Sequence, residues 1–364
     1  MIERLQLANM LAFQEADLEL ANLTLLTGTN SSGKTSILHA LALLRQSFEA
    51  GVLEKSIMLN GGRAKLGTGR DLLHEDPIDL GHDRPQIRIT LTIDDSLHTW
   101  TADYIPDADV LPVAGSFDPV SFSSGFQYLR ADRIVPAETF PKSHEAVSIR
   151  GSLGARGEHA PNYLRVNGGA ATACEPAVLD TGISSNLMDQ TNAWVQLISS
   201  GTSIDVSDLE GTDLVRLGFR RQGPQVKSEP HRSTNVGFGL TYALPIVVAC
   251  LSAAKGTLLL IENPEAHLHP SGQAVLGRLC ALASLGGAQV IIETHSDHVL
   301  NAIRLAVKNT PLRADSTVVH FFSRSTDALQ PEIETLQISA DGSIAAWPKG
   351  FFDEWDSALS ALLS

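Results

Sequence analysis

Residues Gly28–Thr35 read G-T-N-S-S-G-K-T, a complete Walker A pattern with two glycines, a lysine and a threonine at the spacing that phosphate capture requires. Glycine at 28 and 33 lets the chain turn and approach phosphate oxygens with no side chain in the way. A helix opening at the loop adds unpaired N–H groups and the positive end of its dipole. Lys34 then reaches the β- and γ-phosphates, and the Thr35 hydroxyl ligates magnesium, so the expected cofactors are ATP and Mg2+. Asn30, Ser31, Ser32 and Ser36 complete the loop as candidate nucleotide contacts. On this motif alone a Gly/Ser turn with an exposed lysine stays open.

The elements that must position such a loop are present on both sides of it. Leu23–Thr27 is a short apolar run suited to a buried strand, and Ile37, Leu38, Leu41 and Leu44 form one stripe of a helix. A second buried-strand run, Thr257–Ile261, ends directly in Glu262, Asn263, Pro264 and Glu265. Ala266-His267-Leu268-His269-Pro270 follows, and a third apolar run, Gln289–Glu293, leads into Thr294-His295-Ser296.

This order of motifs resembles the ATP-binding heads of the ABC-type ATPases, in particular the RecF, SMC and overcoming-lysogenization-defect (OLD) branch. The resemblance implies that Glu262 holds the magnesium, that His267–Pro270 form a dimer-facing loop, and that His295 is a switch histidine near the γ-phosphate. The segments E-N-P-E-A-H-L-H-P at 262–270, E-T-H-S-D-H-V-L-N at 293–301 and W-P-K-G-F-F-D-E-W at 347–355 are similar to one group of prokaryotic AAA/ABC ATPases. The C-terminal piece of that group is known only as a domain of unknown function. The likeness is weak between about Asp71 and Ser233, and it brings no biochemical role beyond ATP.

One departure bears on turnover. Most ABC heads place a glutamate directly after the magnesium ligand to polarise the attacking water; here Asn263 stands there. An amide cannot take the water's proton, so the base role passes to Glu265, and slow hydrolysis is expected. The catalytic set is thus Glu265, Glu262 and His295, with Thr35 and Glu262 on the metal. The signature segment, which a partner protomer supplies to close over the γ-phosphate, is expected at Asn235-Val-Gly237-Phe-Gly239-Leu-Thr241, ahead of a helix from about Leu240 to Ala254, although the usual serine is not clearly placed and a plain glycine turn before a buried helix stays open. Gly237 and Gly239 would then donate backbone N–H groups to the phosphate, and two chains would sandwich two nucleotides.

The expected fold is α/β: a P-loop NTPase with an ABC-type head, a mixed sheet plus an antiparallel side sheet. With 364 residues and 43% hydrophobic content the chain can bury a substantial core. More than 200 residues separate the two motifs, so the head is split by a long insertion. That insertion shows no sustained heptads, which argues against coiled-coil arms. The expected division is 1–60 (Walker A half), 61–233 (insertion and helical lobe), 234–325 (signature, acid-tipped strand and switch histidine) and 326–364 (a small C-terminal module). Ile2–Leu7, Ala16–Leu20, Thr317–Phe322 and Glu332–Ile338 read as strands, and Ile87–Ile93 with His98–Tyr104 as a hairpin across Asp94-Asp95-Ser96. Asp180–Ile198, Ser271–Ser284 and Asp297–Lys308 read as helices, and the tail from Asp353, with Phe352, Trp355, Leu359 and Leu362 in register, as a short amphipathic one.

The apolar stretch Leu240–Ile261 is interrupted by Lys255-Gly256 and suits a buried helix followed by a strand rather than a membrane span. No signal pattern opens the chain, and cysteines at 174, 250 and 280 have no framework spacing, which points to reduced thiols in the cytoplasm. A net charge of −14 opposes a general nucleic-acid coat. Arg216, Arg220, Arg221, Lys227, His231 and Arg232 nevertheless fall within 17 residues and are a candidate DNA contact, against a solvated hairpin face. Arg130 and Arg133 could sense nucleotide or form surface salt bridges.

Two function classes follow. One is an ATP-gated dimeric switch, such as the ATPase subunit of a bacterial defence or DNA-maintenance system. The other is a self-contained OLD-like nuclease, disfavoured because only about 70 residues follow His295 and they hold no D-x-D; an effector is then a separate chain. A scaffold that binds nucleotide without useful hydrolysis follows from Asn263.

Overall fold

Alternating apolar and polar residues at the N-terminus build an antiparallel sheet, and unbroken apolar runs build parallel strands, as side-chain periodicity requires. The computed structural model describes residues 1–81, 83–114, 125–179, 182–223, 226–235, 237–325, 328–345, 347–348, 350–352, 359 and 361–363. The chain begins with β1 (Ile2–Met10), β2 (Phe13–Glu19), β3 (Leu23–Gly28), α1 (Lys34–Glu49), β4 (Ser56–Met58), α2 (Gly69–Leu72), β5 (Gln86–Ile93), β6 (Ser96–Asp103) and β7 (Val110–Ala114). Next come β8 (Phe126–Leu129), β9 (Thr139–Pro141), α3 (Ala160–Asn167), α4 (Leu187–Ile198), β10 (Thr202–Asp208), β11 (Leu214–Gly223), β12 (Val226–Lys227) and β13 (His231–Arg232). The rest is α5 (Phe238–Ser252), β14 (Leu258–Glu262), α6 (Pro270–Leu285), β15 (Gln289–Glu293), α7 (Asp297–Asn309), β16 (Thr317–Ser323) and β17 (Glu332–Gln337).

Two units emerge: residues 1–123 with 313–364, and residues 124–312. The first carries an antiparallel sheet ordered β2-β1-β5-β6-β7-β4. Its register places Leu5 opposite Leu18 and Leu91, all three fully buried. The β5–β6 hairpin turns on Asp94 and Asp95 alone, both at positive φ, and Ser96 already pairs with Ile93. Two left-handed residues match the twist of flanking strands, and aspartate tolerates that conformation. β16 runs parallel to β3 and antiparallel to β17. Phe351 of the W-P-x-G-F-F segment is buried edge-on against Phe321 of β16. The expected tail helix from Asp353 lies, for the most part, outside the described residues.

The second unit holds the parallel strands β8, β14 and β15, in register at Tyr128, Leu260 and Ile291. β10, β9, β12 and β13 pair antiparallel with β11. Residues 61–233, read from sequence as an insertion and helical lobe, thus supply β5–β7 to the first unit and β8–β13 to the second. α5 is buried on nearly all sides despite Pro245 within it. α4 starts at Leu187, not near Asp180, because the Asn186 side chain caps it by accepting from the Asp189 N–H at 2.8 Å. No described helix exceeds 16 residues, and none is long and apolar enough to cross a membrane. All three cysteines are buried free thiols.

Candidate functional site

In the first unit, β3 delivers the Walker A loop and β16 fixes its opening. Gly28 has φ +135°, and a Cβ there would lie 2.0 Å from the Phe322 carbonyl oxygen. Gly33 has φ +84°, and a Cβ there would lie 2.8 Å from both the Ala12 methyl and the Phe13 ring. Both positions therefore demand glycine on conformation and on space. Gly33 is the N-cap of α1, with no capping side chain and no acid in the first turn, which leaves that helix end electropositive. The Lys34 side chain is buried, its Nζ donating to the carbonyls of Thr29 at 2.6 Å and Gly28 at 3.2 Å and to Ser32 Oγ at 3.3 Å. Ser32 Oγ donates to the Thr29 carbonyl at 2.7 Å, while Asn30 and Ser31 are exposed at the loop tip. A narrow bare backbone, a lysine and an uncapped helix end fit a polyphosphate.

In the second unit, β14 brings Glu262 to its C-terminal end, where the carboxylate accepts from the Tyr128 hydroxyl and, at 2.7 Å, from the Ala131 N–H. Two donors leave lone pairs on a carboxylate for a hard cation, so Glu262 fits a magnesium ligand. Burial and the Glu262 charge push the Tyr128 phenol well above its usual range, which keeps it a proton donor to that carboxylate. Asn263 follows at φ 42°, its N–H donating to the Glu293 carbonyl at 2.8 Å. Glu265 lies against the end of β15: Oε2 accepts from the Thr294 hydroxyl at 2.7 Å and Oε1 from the His295 N–H at 2.8 Å. The Thr294 hydroxyl in turn accepts from the Ser296 N–H at 3.1 Å, and Ser296 caps α7. The candidate base and the main chain of the candidate switch histidine are thus one hydrogen-bonded group, and the His295 side chain is exposed.

The turn before α6 carries His267 at φ 61° and His269 as N-cap of the helix. His267 touches the expected signature region: its ring meets Tyr242 edge-on at 4.7 Å and Phe238 at 5.6 Å. A Cβ on Gly239 would stand 2.5 Å from the His267 carbonyl oxygen, whereas one on Gly237 would meet open space. A groove of about 540 Å3 runs here, lined among others by Arg221, His231, Gly237, Gly239 and His267.

The arginine cluster is largely paired within its own unit. Arg216 and Arg232 both reach Glu138, at 3.7 and 3.2 Å, and Arg220 reaches Asp205 at 2.6 Å. Arg221 is exposed, and the Lys227 side chain lies outside the described residues. Arg130 pairs with Asp132 at 3.0 Å, but Arg133 is fully buried behind β14 rather than in a surface salt bridge. Sequence reasoning missed Tyr128, Ala131 and Thr294 as the partners of the two carboxylates.

Residues 216–301 match a family described as "AAA domain, putative AbiEii toxin, Type IV TA system", and residues 312–362 match a protein family of unknown function, DUF3696. The chain superposes on the SMC head bound to the C-winged helix domain of ScpA with a TM-score of 0.55 at 14% identity, over 93% of this chain and 98% of that one. It superposes on an SMC head with an extended coiled coil, bound to the C-terminal domain of ScpA derived from Pyrococcus furiosus, with a TM-score of 0.53 at 13% identity, over 100% and 99% of the two chains. The fold is that of an SMC-type ATPase head. Residues 216–301 thus resemble an AAA domain and residues 312–362 a domain of unknown function, on a fold similar to that of SMC heads. No curated protein matches the chain.

Proposed function

We propose that this head binds Mg-ATP and hydrolyses it slowly, acting as a cytoplasmic switch that dimerises on ATP and drives an effector on a separate chain. The observation that carries the reading is the Walker A loop. Gly28 and Gly33 are held where no Cβ fits, Lys34 is turned into the loop, and α1 opens with no cap or acid to compete with phosphate. Gly28, Asn30, Ser31, Ser32, Gly33, Lys34, Thr35 and Ser36 take the phosphates, and Gly237 and Gly239 serve the partner's nucleotide. Thr35 and Glu262 hold the magnesium, which supplies charge neutralisation on the phosphates. Glu265 is the leading base, and because it accepts from Thr294 and His295 it also sets the main chain of the residue assigned to the γ-phosphate. The matching AAA family is named for a putative toxin of a type IV TA system, and with it we place this head in a bacterial defence or DNA-maintenance system. Arg221, exposed beside the groove, is the candidate nucleic-acid contact.

The alternative is a scaffold that binds ATP without useful turnover, favoured by Asn263 at the position of the usual base. Phosphate release by the wild type, Lys34→Ala and Glu265→Gln, with and without double-stranded DNA, separates the two. Release lost in both variants supports the ATPase with Glu265 as base; ATP binding with no release supports the scaffold. Light scattering with and without a non-hydrolysable analogue tests the dimer, and equal mass in both would remove ATP-driven closure.

A further inference from the structure

Arg133 is the most deeply placed charge in the second unit, and the ATP reading assigns it no task. Its Nη1 donates to the Glu262 carbonyl at 2.7 Å and to the Arg130 carbonyl at 3.2 Å, and its Nη2 donates to the Asn263 carbonyl at 2.5 Å. The guanidinium therefore grips two consecutive main-chain carbonyls, those of the Glu262–Asn263 and Asn263–Pro264 peptides, where β14 ends. It also lies over the Tyr242 ring of α5, Cζ 5.6 Å from the centroid, and Tyr242 meets His267 edge-on at 4.7 Å. One buried cation thus joins the end of β14, the first turns of α5 and the turn that leads into α6.

A neutral side chain would brace those segments at lower cost. Burying a guanidinium is costly, and here the direct acceptors are carbonyls rather than a carboxylate. Burial pulls its pKa down to about 10, while the charges of Glu265 and Glu262 pull it back up. The group is also incompletely satisfied: the Arg133 Nε–H and the Asn263 Oδ1 are buried, and neither has a partner among the described residues. Orphaned polar atoms in one small cluster, beside Asn263 at φ 42°, mark a strained spot.

We propose that Arg133 is a positioning residue which sets the main chain under Glu262 and, through the Tyr242 ring, couples it to His267. Movement of the turn before α6 is thereby transmitted to the residue assigned to the metal. The inference rests on the reading of Glu262 as a magnesium ligand.

The test is calorimetric titration of the full-length protein with a non-hydrolysable ATP analogue, once with magnesium chloride and once with EDTA, alongside melting curves without nucleotide. Arg133→Met and Tyr242→Leu are expected to keep the affinity in EDTA within about 2-fold, because the Walker A loop is untouched, and to lose about 10-fold of the gain that magnesium gives the wild type. Tyr242→Phe keeps the ring under the guanidinium and should retain the full gain. A brace with no bearing on the metal ligand would lower the melting temperature and leave the gain intact. Should Arg133→Met not fold, the Tyr242 pair carries the same test. A full magnesium gain in either folded defective variant overturns the proposal. No analogue binding by the wild type in either condition would overturn the ATP reading itself, and this inference with it.

Discussion

Lys34 and Glu262 carry the two opposite charges that the ATP reading needs, and the chain holds them by different means. The Lys34 ammonium bonds to carbonyls of its own loop, at Thr29 and Gly28, five and six residues away. The Glu262 carboxylate bonds to Ala131 and Tyr128, 131 and 134 residues away. In the loop, conformation alone does the positioning, through two glycines that nothing else can replace. At the strand end the partners must be brought in by β8 running parallel to β14. A locally held group should fail locally when it is changed, whereas a remotely held one should fail by degrees as each partner is removed.

The largest effect is expected at the loop. Lys34→Ala removes the one ammonium there that can meet the β- and γ-phosphates, and ATP affinity should fall by about 100-fold or more, some 3 kcal/mol. The melting temperature without nucleotide should move little. Near-wild-type affinity in a titration would remove the Walker A reading and with it the contrast.

Glu265→Gln comes next and sharpens the other side. A general base contributes roughly 100- to 10,000-fold, so turnover should fall by at least about 100-fold if Glu265 takes the water's proton. If Glu265 only anchors Thr294 and the His295 N–H, the amide keeps one acceptor and a several-fold loss is expected. Single-turnover rates distinguish the two, and an unchanged rate would free Glu265 from both roles.

Removing one remote partner should cost less. Tyr128→Phe deletes the hydroxyl that donates to Glu262, a bond to a charged group worth about 1.5–3 kcal/mol. Ala131 still holds the other oxygen, so Glu262 stays near its place and the magnesium concentration for half-maximal turnover should rise about 10-fold. Equal magnesium dependence in the two proteins would show that β8 does not position the acid.

The same contrast explains what could be read from the sequence. The Walker A loop was legible because its requirements are contiguous: a strand, two glycines, a lysine and a helix start within a dozen residues. The acid-tipped β14 and the Thr294-His295 strand end were legible for the same reason. Their partners were not, because nothing in the local pattern of Tyr128-Leu-Arg-Ala-Asp-Arg133 says that its strand lies beside β14; that adjacency is set by parallel pairing across more than 120 residues. Arg133, readable only as a sensor or a surface ion pair, is a buried brace for the same cause. The α4 start was misread because Asn186, the residue that caps it, lies six residues past the expected beginning, and a cap overrides a periodic pattern that extends beyond it.

The smallest effect concerns a histidine that sequence periodicity treats as one more strand residue. His320 is fully buried in β16, one ring nitrogen 2.7 Å from the Glu19 carbonyl oxygen and the other 3.0 Å from the Thr335 hydroxyl. Neutral imidazole satisfies both, donating to the carbonyl and accepting from the hydroxyl. Burial holds its pKa below the ordinary 6.5, so on acidification the unfolded chain takes up a proton before the folded one does. The stability this group supports is present above about pH 6.5 and falls as the pH drops below it, by at most about 1.4 kcal/mol per pH unit until the folded pKa is reached. Glutamine at this position can donate and accept in the same places without titrating. Melting temperatures of wild type and His320→Gln between pH 7.5 and 5.5 should therefore converge as the pH falls, and parallel curves would show that the buried imidazole contributes nothing to the acid sensitivity of the first unit.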